Sequence, residues 1–310
     1  MLAILSVGME KMNNNPAVSV VMSVYNAELY LEDAIESILN QTYKDFEFII
    51  INDGSTDSSL EIIKKYSKKD ERIIVVSRDN KGIVYSLNEG IRLAKGEYIA
   101  RMDADDISLD FRFEQQLNFI KKNSLDICGG SYLLINEVGN IRGLNIVTSS
   151  HIFCTLSMMF GVPFAHPSVL ILKKFLVDNN LEYGQSSYKR AEDYDLWVRM
   201  HKAGAFFGNV NEVVLKYRIT KNSLSIQNRN KIISESRKIR LDFAKKLHFK
   251  RFFQITKDDS MLLNYEEETL IVRYLFNNFF KRRKLVDFSC ILNINIKIIL
   301  KIIISELKNR

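Results

Sequence analysis

The sequence predicts a doubly wound, mostly parallel α/β sheet flanked by helices, followed by a mainly helical, basic C-terminal extension. Three observations carry this prediction. Short continuous runs of β-branched and apolar residues recur through the first part of the chain, which is the pattern of strands buried on both faces. Segments with apolar residues at helical spacing lie between them, and such alternation argues for βαβ units. Charge is also unevenly divided. Residues 226–310 hold 19 Lys+Arg and 9 Asp+Glu, a net of +10, whereas the first 225 residues hold 25 and 28, a net of −3.

Val18–Val24 (VSVVMSV) reads as the first buried strand. Asn26 then offers a helix cap, and Leu31, Ala34, Ile35, Ile38 and Leu39 follow at helical spacing to about Asn40. Phe46–Ile51 is a second strand, ending at the turn Asn52-Asp53-Gly54-Ser55, whose polar residues can cap a helix over Ser58–Tyr66. Ile73–Ser77 is a third strand. Gly82–Ala94 has helical spacing, with Gly96 as its expected C-cap. Glu97–Met102 is a fourth strand; it stops at Asp103-Ala104-Asp105-Asp106, and a helix is expected over Asp110–Lys121. From Cys128 to Ile219 the pattern is more mixed, with short strands and glycine-containing turns. The resulting division is a leader over 1–16, a body over 17–225 with halves 17–125 and 126–225, and a tail over 226–310.

At 310 residues, 46% apolar and 26% charged, the chain has ordinary globular composition and enough length to bury a core without disulfides. Its three cysteines form no CxxC pair, which argues against a disulfide scaffold or zinc ribbon and fits a reducing compartment. The apolar start, Met1–Val7, lacks a basic leader and a small-residue cleavage site and does not read as a signal peptide. No GxGxxG follows the first strand and no GxxxxGK[ST] occurs, which disfavours a dinucleotide dehydrogenase and excludes a P-loop NTPase.

Carboxylates, not glycines, stand after the strands. In parallel α/β sheets ligands bind outside the carboxyl ends of the strands, and Asn26, Asp53 and Asp103–Asp106 all fall there. Carboxylates repel phosphate directly, but they can hold a hard divalent cation that in turn binds a diphosphate. Asp103 and Asp105 are spaced to reach Mg2+ or Mn2+. Asp53 is then free to accept hydrogen bonds from a nucleobase or ribose, and Tyr25 is placed to stack on the base. Each alone is an ordinary turn or cap residue; their joint position on one sheet edge singles them out.

VSVVMSVYN (Val18–Asn26), NDGSTD (Asn52–Asp57), NEGIRLAKGEY (Asn88–Tyr98), RMDADD (Arg101–Asp106) and AEDYDLW (Ala191–Trp197) occur in this order. Together they resemble the family-2 glycosyltransferases of GT-A fold, of the bacterial cell-surface polysaccharide type, over about residues 17–220. The resemblance implies inverting transfer of a sugar from a UDP-linked donor to an acceptor hydroxyl. It implies nucleotide contacts by Tyr25, Asn26, Asp53 and Asp103, with Glu28 a neighbour. It makes Asp103 and Asp105 a metal-binding DxD, with Asp105 the direct ligand, and Asp193 the general base. Ser23 departs from the family, which usually has proline there.

Beside Asp193, Glu192 is a second catalytic candidate, with orienting its neighbour or capping the helix as the alternative, and burial together with Glu192 is expected to raise the Asp193 pKa. His166, in an HPS segment, and Trp197 are acceptor-side candidates, each with a structural alternative: a packed imidazole and a core anchor. Asp195 reads as a solvated or capping carboxylate, and Arg218 and Lys221 stand within reach of a diphosphate.

In the tail, Lys281-Arg282-Arg283-Lys284 precedes Leu285–Ile304, where Asn293, Lys297, Lys301 and Ser305 form one polar stripe on an Ile/Leu-rich cylinder. That pattern reads either as a helix lying in a membrane interface or as one packed on the body. The expected partners are a UDP-sugar (glucose or galactose), a lipid-diphosphate-linked saccharide acceptor and an anionic membrane surface at the inner face of the cell membrane. No nucleic-acid partner is expected, because the tail's charge is interleaved with Ile rather than stacking aromatics. A catalytically silent sugar-nucleotide binder is the competing reading, disfavoured by the intact DxD and base.

Overall fold

The computed structural model describes residues 15–159, 161–220, 223 and 228–246. Strands β1 (Val18–Val24), β2 (Phe46–Asp53), β3 (Ile73–Arg78) and β4 (Tyr98–Asp103) alternate with helices α1 (Leu31–Leu39), α2 (Ser59–Ser67) and α3 (Ile83–Leu93). These four strands pair in parallel in the order β3-β2-β1-β4. Both faces of β1 are covered. Val18, Val20, Met22 and Val24 join one apolar layer with Leu31, Ile35 and Ile38 of α1, and Val21 joins the opposite layer with Leu87 of α3. The period of two along a strand makes each run serve two cores.

The sheet continues through β5 (Ile107–Ser108), β6 (Ile127–Ile135), β7 (Ile141–Asn145), β8 (Leu170–Leu172) and β9 (Phe207–Arg218). Its full order is β3-β2-β1-β4-β8-β6-β9-β5, with β7 paired to β6. Beyond β4 the pairing is mixed: β8 is antiparallel to both β4 and β6, β6 and β9 are parallel, and β5 is antiparallel to β9. Helices α4 (Arg112–Lys122), α5 (His151–Ser157), α6 (Lys173–Asp178), α7 (Glu192–Lys202) and α8 (Arg229–Lys246) pack around it, and His166–Ser168 forms one turn of 3-10 helix.

Two expected caps have other roles. Asn26 does not cap α1, whose preceding residue is Tyr30. It adopts φ 51°, and its Oδ1 accepts the Thr56 N–H at 2.8 Å, joining the exits of β1 and β2. An Asn side chain suits this because it tolerates the left-handed region and bonds locally. Gly96 is likewise not the C-cap of α3, which ends at Ala94. A Cβ there would lie 2.6 Å from the Ser19 nitrogen, while the Gly96 N–H donates to Ser19 Oγ at 2.7 Å. The glycine is present because two backbones meet.

The soft border near residue 225 is crossed by packing. Ile239 and Phe243 of α8 are buried in the same apolar cluster as Tyr194, Leu196 and Trp197 of α7. The start of the leader, and the basic cluster and amphipathic stretch over 281–304, lie outside the described residues. Among the described residues, no helix is long and apolar enough to cross a membrane.

Gly96→Ala is expected to lower stability by about 1–3 kcal/mol through overpacking. Urea unfolding should show a lower midpoint with an unchanged slope.

Candidate functional site

The parallel register brings three strand exits together. Ser23 of β1 lies beside Ile51 of β2 and Asp103 of β4, so the loops after β1, β2 and β4 open on one edge. The acidic loop is fixed from two directions. Asp103 is ion-paired to the buried Arg101, and β5 pairs with the end of β9, which brings Arg218 against the loop. The Arg218 N–H donates to Asp106 Oδ1 and its Nε to the Asp105 carbonyl, both at 2.7 Å.

Carboxylate oxygens of Asp103, Asp105 and Asp106 lie within 4.8 Å of one another. Burial, then the Asp103 charge, pushes the Asp105 carboxyl up to about 6; burial, Asp103 and Asp105 raise that of Asp106. Asp106 is 1% exposed, and its Oδ2 has no hydrogen-bond partner among the described residues. An orphaned buried carboxylate oxygen among like charges is costly unless a cation meets it. This donor set, all hard oxygen, therefore fits Mg2+ or Mn2+. Asp103 and Asp105 stand where the sequence reading expects them. Asp106 joins them as a third candidate ligand that the DxD spacing does not mark.

Asp53 is not free, contrary to expectation. It is buried and ion-paired to Arg78, and it accepts the N–H groups of Lys81 and Gly82 at 2.8 and 2.9 Å. A carboxylate has about four acceptor positions, so one is left over. Gly54 beside it has φ +74°, and a Cβ there would lie 2.6 Å from the Asn80 nitrogen; the turn closes because that atom is missing. Of the β1-exit residues, Tyr25 is 53% exposed. Asn26 and Glu28 are tied to the next loop, Glu28 through Oε2 accepting the Ser58 N–H at 2.9 Å.

Glu192 and Asp193 occupy the first turn of α7. Burial and then Asp193 push the Glu192 carboxyl up to about 7. The Asp193 pKa is raised by burial, opposed by the Tyr194 N–H that donates to its Oδ1 at 2.7 Å and by Arg101. The Asp103 charge raises it further, and the repulsion between Glu192 and Asp193 falls on the Glu192 carboxyl. Both residues thus share the field of Arg101 and Asp103, which joins the first turn of α7 to the acidic loop.

His166 sits in the same field. Burial and the Arg101 charge push its imidazole well below its ordinary pKa, so it is neutral near pH 7. Its Nε2 lies 2.8 Å from the Tyr183 hydroxyl. Tyr183 carries no sequence signal of its own, but Asn88, inside one of the recognised blocks, holds it. Asn88 Nδ2 donates to the Tyr183 carbonyl at 3.0 Å and its Oδ1 accepts the Tyr183 N–H at 2.9 Å.

Of three other expectations, the core-anchor reading of Trp197 holds and two change. Trp197 is wholly buried, edge-on to Phe164, His166 and Tyr183, so it anchors the core and offers no stacking platform. Asp195 is buried in an ion pair with Arg199 at 2.8 Å, not solvated. Arg218 does not reach toward a diphosphate: its guanidinium is engaged by the carbonyls of Asp105 and Glu137 and packs over the Tyr30 ring. Lys221 lies outside the described residues.

Residues 19–181 match the family model for glycosyl transferase family 2. The O-antigen biosynthesis glycosyltransferase WbnJ of Escherichia coli is 35% identical over 206 residues, covering 65% of this chain and 79% of its own. Among solved structures, S. aureus TarS 1–349 in complex with UDP-GlcNAc superposes with a TM-score of 0.60 at 18% identity, covering 93% of this chain and 79% of that one. The mannosyltransferase PcManGT from Pyrobaculum calidifontis, in complex with GDP-Man and Mn2+, gives 0.58 at 12% identity, covering 96% and 88%. The fold is that of the GT-A glycosyltransferases.

Because folding raises the Glu192 pKa from 4.5 to about 7, the protonated side chain favours the native state. That contribution is present below pH 4.5 and is lost as pH rises to about 7, a change of about 3 kcal/mol. In metal-free buffer Glu192→Gln should therefore gain stability relative to wild type across that window, read as the difference in unfolding midpoints at its two ends.

Proposed function

The chain belongs to glycosyl transferase family 2, and from that premise we propose that it is an inverting, metal-dependent hexosyltransferase. In this reading it moves a sugar from a UDP-sugar to a hydroxyl of a lipid-diphosphate-linked oligosaccharide during surface polysaccharide synthesis. The observation that carries the reading is the set of Asp103, Asp105 and Asp106 carboxylate oxygens within 4.8 Å of one another at the strand exits, with the Glu192–Asp193 pair in the field of the same Arg101. A base for the acceptor hydroxyl and a cation site for the departing diphosphate are what such a transfer needs.

Asp193 takes the proton of the acceptor hydroxyl as that oxygen attacks the anomeric carbon. The bond from that carbon to the diphosphate oxygen breaks on the opposite side, inverting the centre, and the diphosphate leaves with the electron pair. Asp193 Oδ1 is turned to the Tyr194 N–H, which leaves Oδ2 as the proton acceptor. Its raised pKa brings its basicity closer to neutral pH, where general bases act best. Asp103, Asp105 and Asp106 would hold a divalent ion, which would supply positive charge to neutralise the departing diphosphate. Tyr25 stacks on the base, and the open acceptor position of Asp53 receives a donor from the nucleotide.

The relatives support the finer assignments. A UDP-sugar occupies TarS, and GDP-Man with Mn2+ occupies PcManGT; WbnJ is named for O-antigen biosynthesis. The lipid-linked acceptor and a peripheral place on the cytoplasmic face of the membrane rest on the basic, amphipathic sequence of the tail. Glucose and galactose are the first sugars to offer.

With a panel of UDP-sugars and Mn2+, one donor should release UDP, and Asp193→Asn should lower kcat by about 10²- to 10⁴-fold. Turnover unaffected by Asp193→Asn would sink its role as base. Independently of turnover, Mn2+ at 100 times its Kd should stabilise the protein by about 2.7 kcal/mol. Asp105→Asn should remove most of that gain in a thermal unfolding assay.

A further inference from the structure

Helix α7 carries Glu192 and Asp193 in its first turn, yet it starts at Ala191, a residue with no side chain able to cap it. In a capping box, a Glu or Gln at the third helical position reaches back to the N–H of the cap residue. Here that position is Tyr194, whose hydroxyl is turned away to the Met158 carbonyl. The donors before the helix are met from elsewhere. Oε2 of Glu235, on α8, accepts the N–H of Arg190 at 2.7 Å and that of Ala191 at 3.2 Å.

We propose that Glu235 is a positioning residue for the catalytic pair, fixing the start of α7 from a helix 44 residues further along the chain. The link is well supported on both sides. Ile239 and Phe243 are buried in the cluster that contains Tyr194, Leu196, Trp197 and Met200, and Phe243 packs edge-on against His201 at 5.3 Å. On the other side, the Ala191 carbonyl accepts the Asp195 N–H at 3.0 Å. Ala191 is thus held at its N–H by α8 and at its carbonyl by α7, and Asp193 follows two residues later. A negative carboxylate at a helix N-terminus also meets the positive end of the helix dipole. Helix α8 lies beyond the residues matched by the family model, so this chain supplies the clamp from its own C-terminal segment.

The proposal rests on Asp193 acting as the base. It is tested with full-length Glu235→Ala and Glu235→Gln, assayed with UDP-sugar and Mn2+ and, separately, by amide hydrogen exchange. Glu235→Ala should lower kcat roughly 10- to 100-fold, because small misplacements of a reacting group are that damaging, while KM for the donor stays the same. Its kcat–pH profile should shift to lower pH on the acid side, since a looser helix start admits water to a carboxyl whose pKa is raised by burial. Glu235→Gln keeps an oxygen that accepts both N–H groups and should restore kcat and the profile. Exchange over residues 190–195 should quicken in the alanine variant and stay at the wild-type rate in α1 and α4.

Wild-type kcat and pH profile in Glu235→Ala would overturn the proposal, as would a glutamine variant as impaired as the alanine variant. A wild type inert to every donor, with faster exchange at 190–195 in Glu235→Ala, would keep the clamp and overturn the transfer reading instead.

Discussion

The site is organised by one buried cation. Arg101, on β4, is ion-paired to Asp103, and its charge reaches Asp105, Asp106, Glu192, Asp193, His166 and Tyr183. Five carboxylates crowded at one sheet edge repel one another strongly at low dielectric. The guanidinium offsets part of that repulsion, and breaking such a buried pair by removing one partner costs about 3–5 kcal/mol. The offset is incomplete: burial first, and like charge after it, still raises the carboxyl pKa values around Arg101, and a loop with that surplus of carboxylate could hold a metal ion.

Arg101 is itself held from below. The guanidinium of Arg112 donates to the Arg101 carbonyl at 2.9 Å and the Val169 carbonyl at 3.2 Å, and Gln116 donates to the Ser168 carbonyl at 2.7 Å. These two residues of α4 fasten β4 to the turn that carries His166. Arg112 is fully buried without a carboxylate partner among the described residues, and burial pulls its pKa down to about 9. Keeping a charge there is expensive, and what it secures is the seam where the parallel half of the sheet meets the mixed half.

The parallel half was legible because each strand is a continuous apolar run and each helix has its own period, so local pattern and global fold agree. Its caps were not. Asn26 and Gly96 are residue types with several uses, and tertiary contacts with Thr56 and Ser19 chose among them. In the site, Asp103, Asp105 and Asp193 carry motif spacing. Tyr183 and Glu235 carry none, since each acts through a contact with a residue distant in sequence. Trp197 takes the core place expected of it, whereas the burial of Asp195 is not legible, because helical position alone does not say which face a neighbouring helix will cover, and α7 is covered almost all round.

The hydrogen bond from Arg218 to Asp106 joins residues 112 positions apart. Contacts of that separation form late, since the intervening chain must be ordered first. On the ribosome the N-terminal half emerges first and can begin to fold as a unit, while the acidic loop stays unclipped until β9 has been made. The acidic loop can therefore be clipped only after the chain through β9 has been made. A nascent chain stopped before β9 would have much of the parallel half of the sheet but no closed acidic loop.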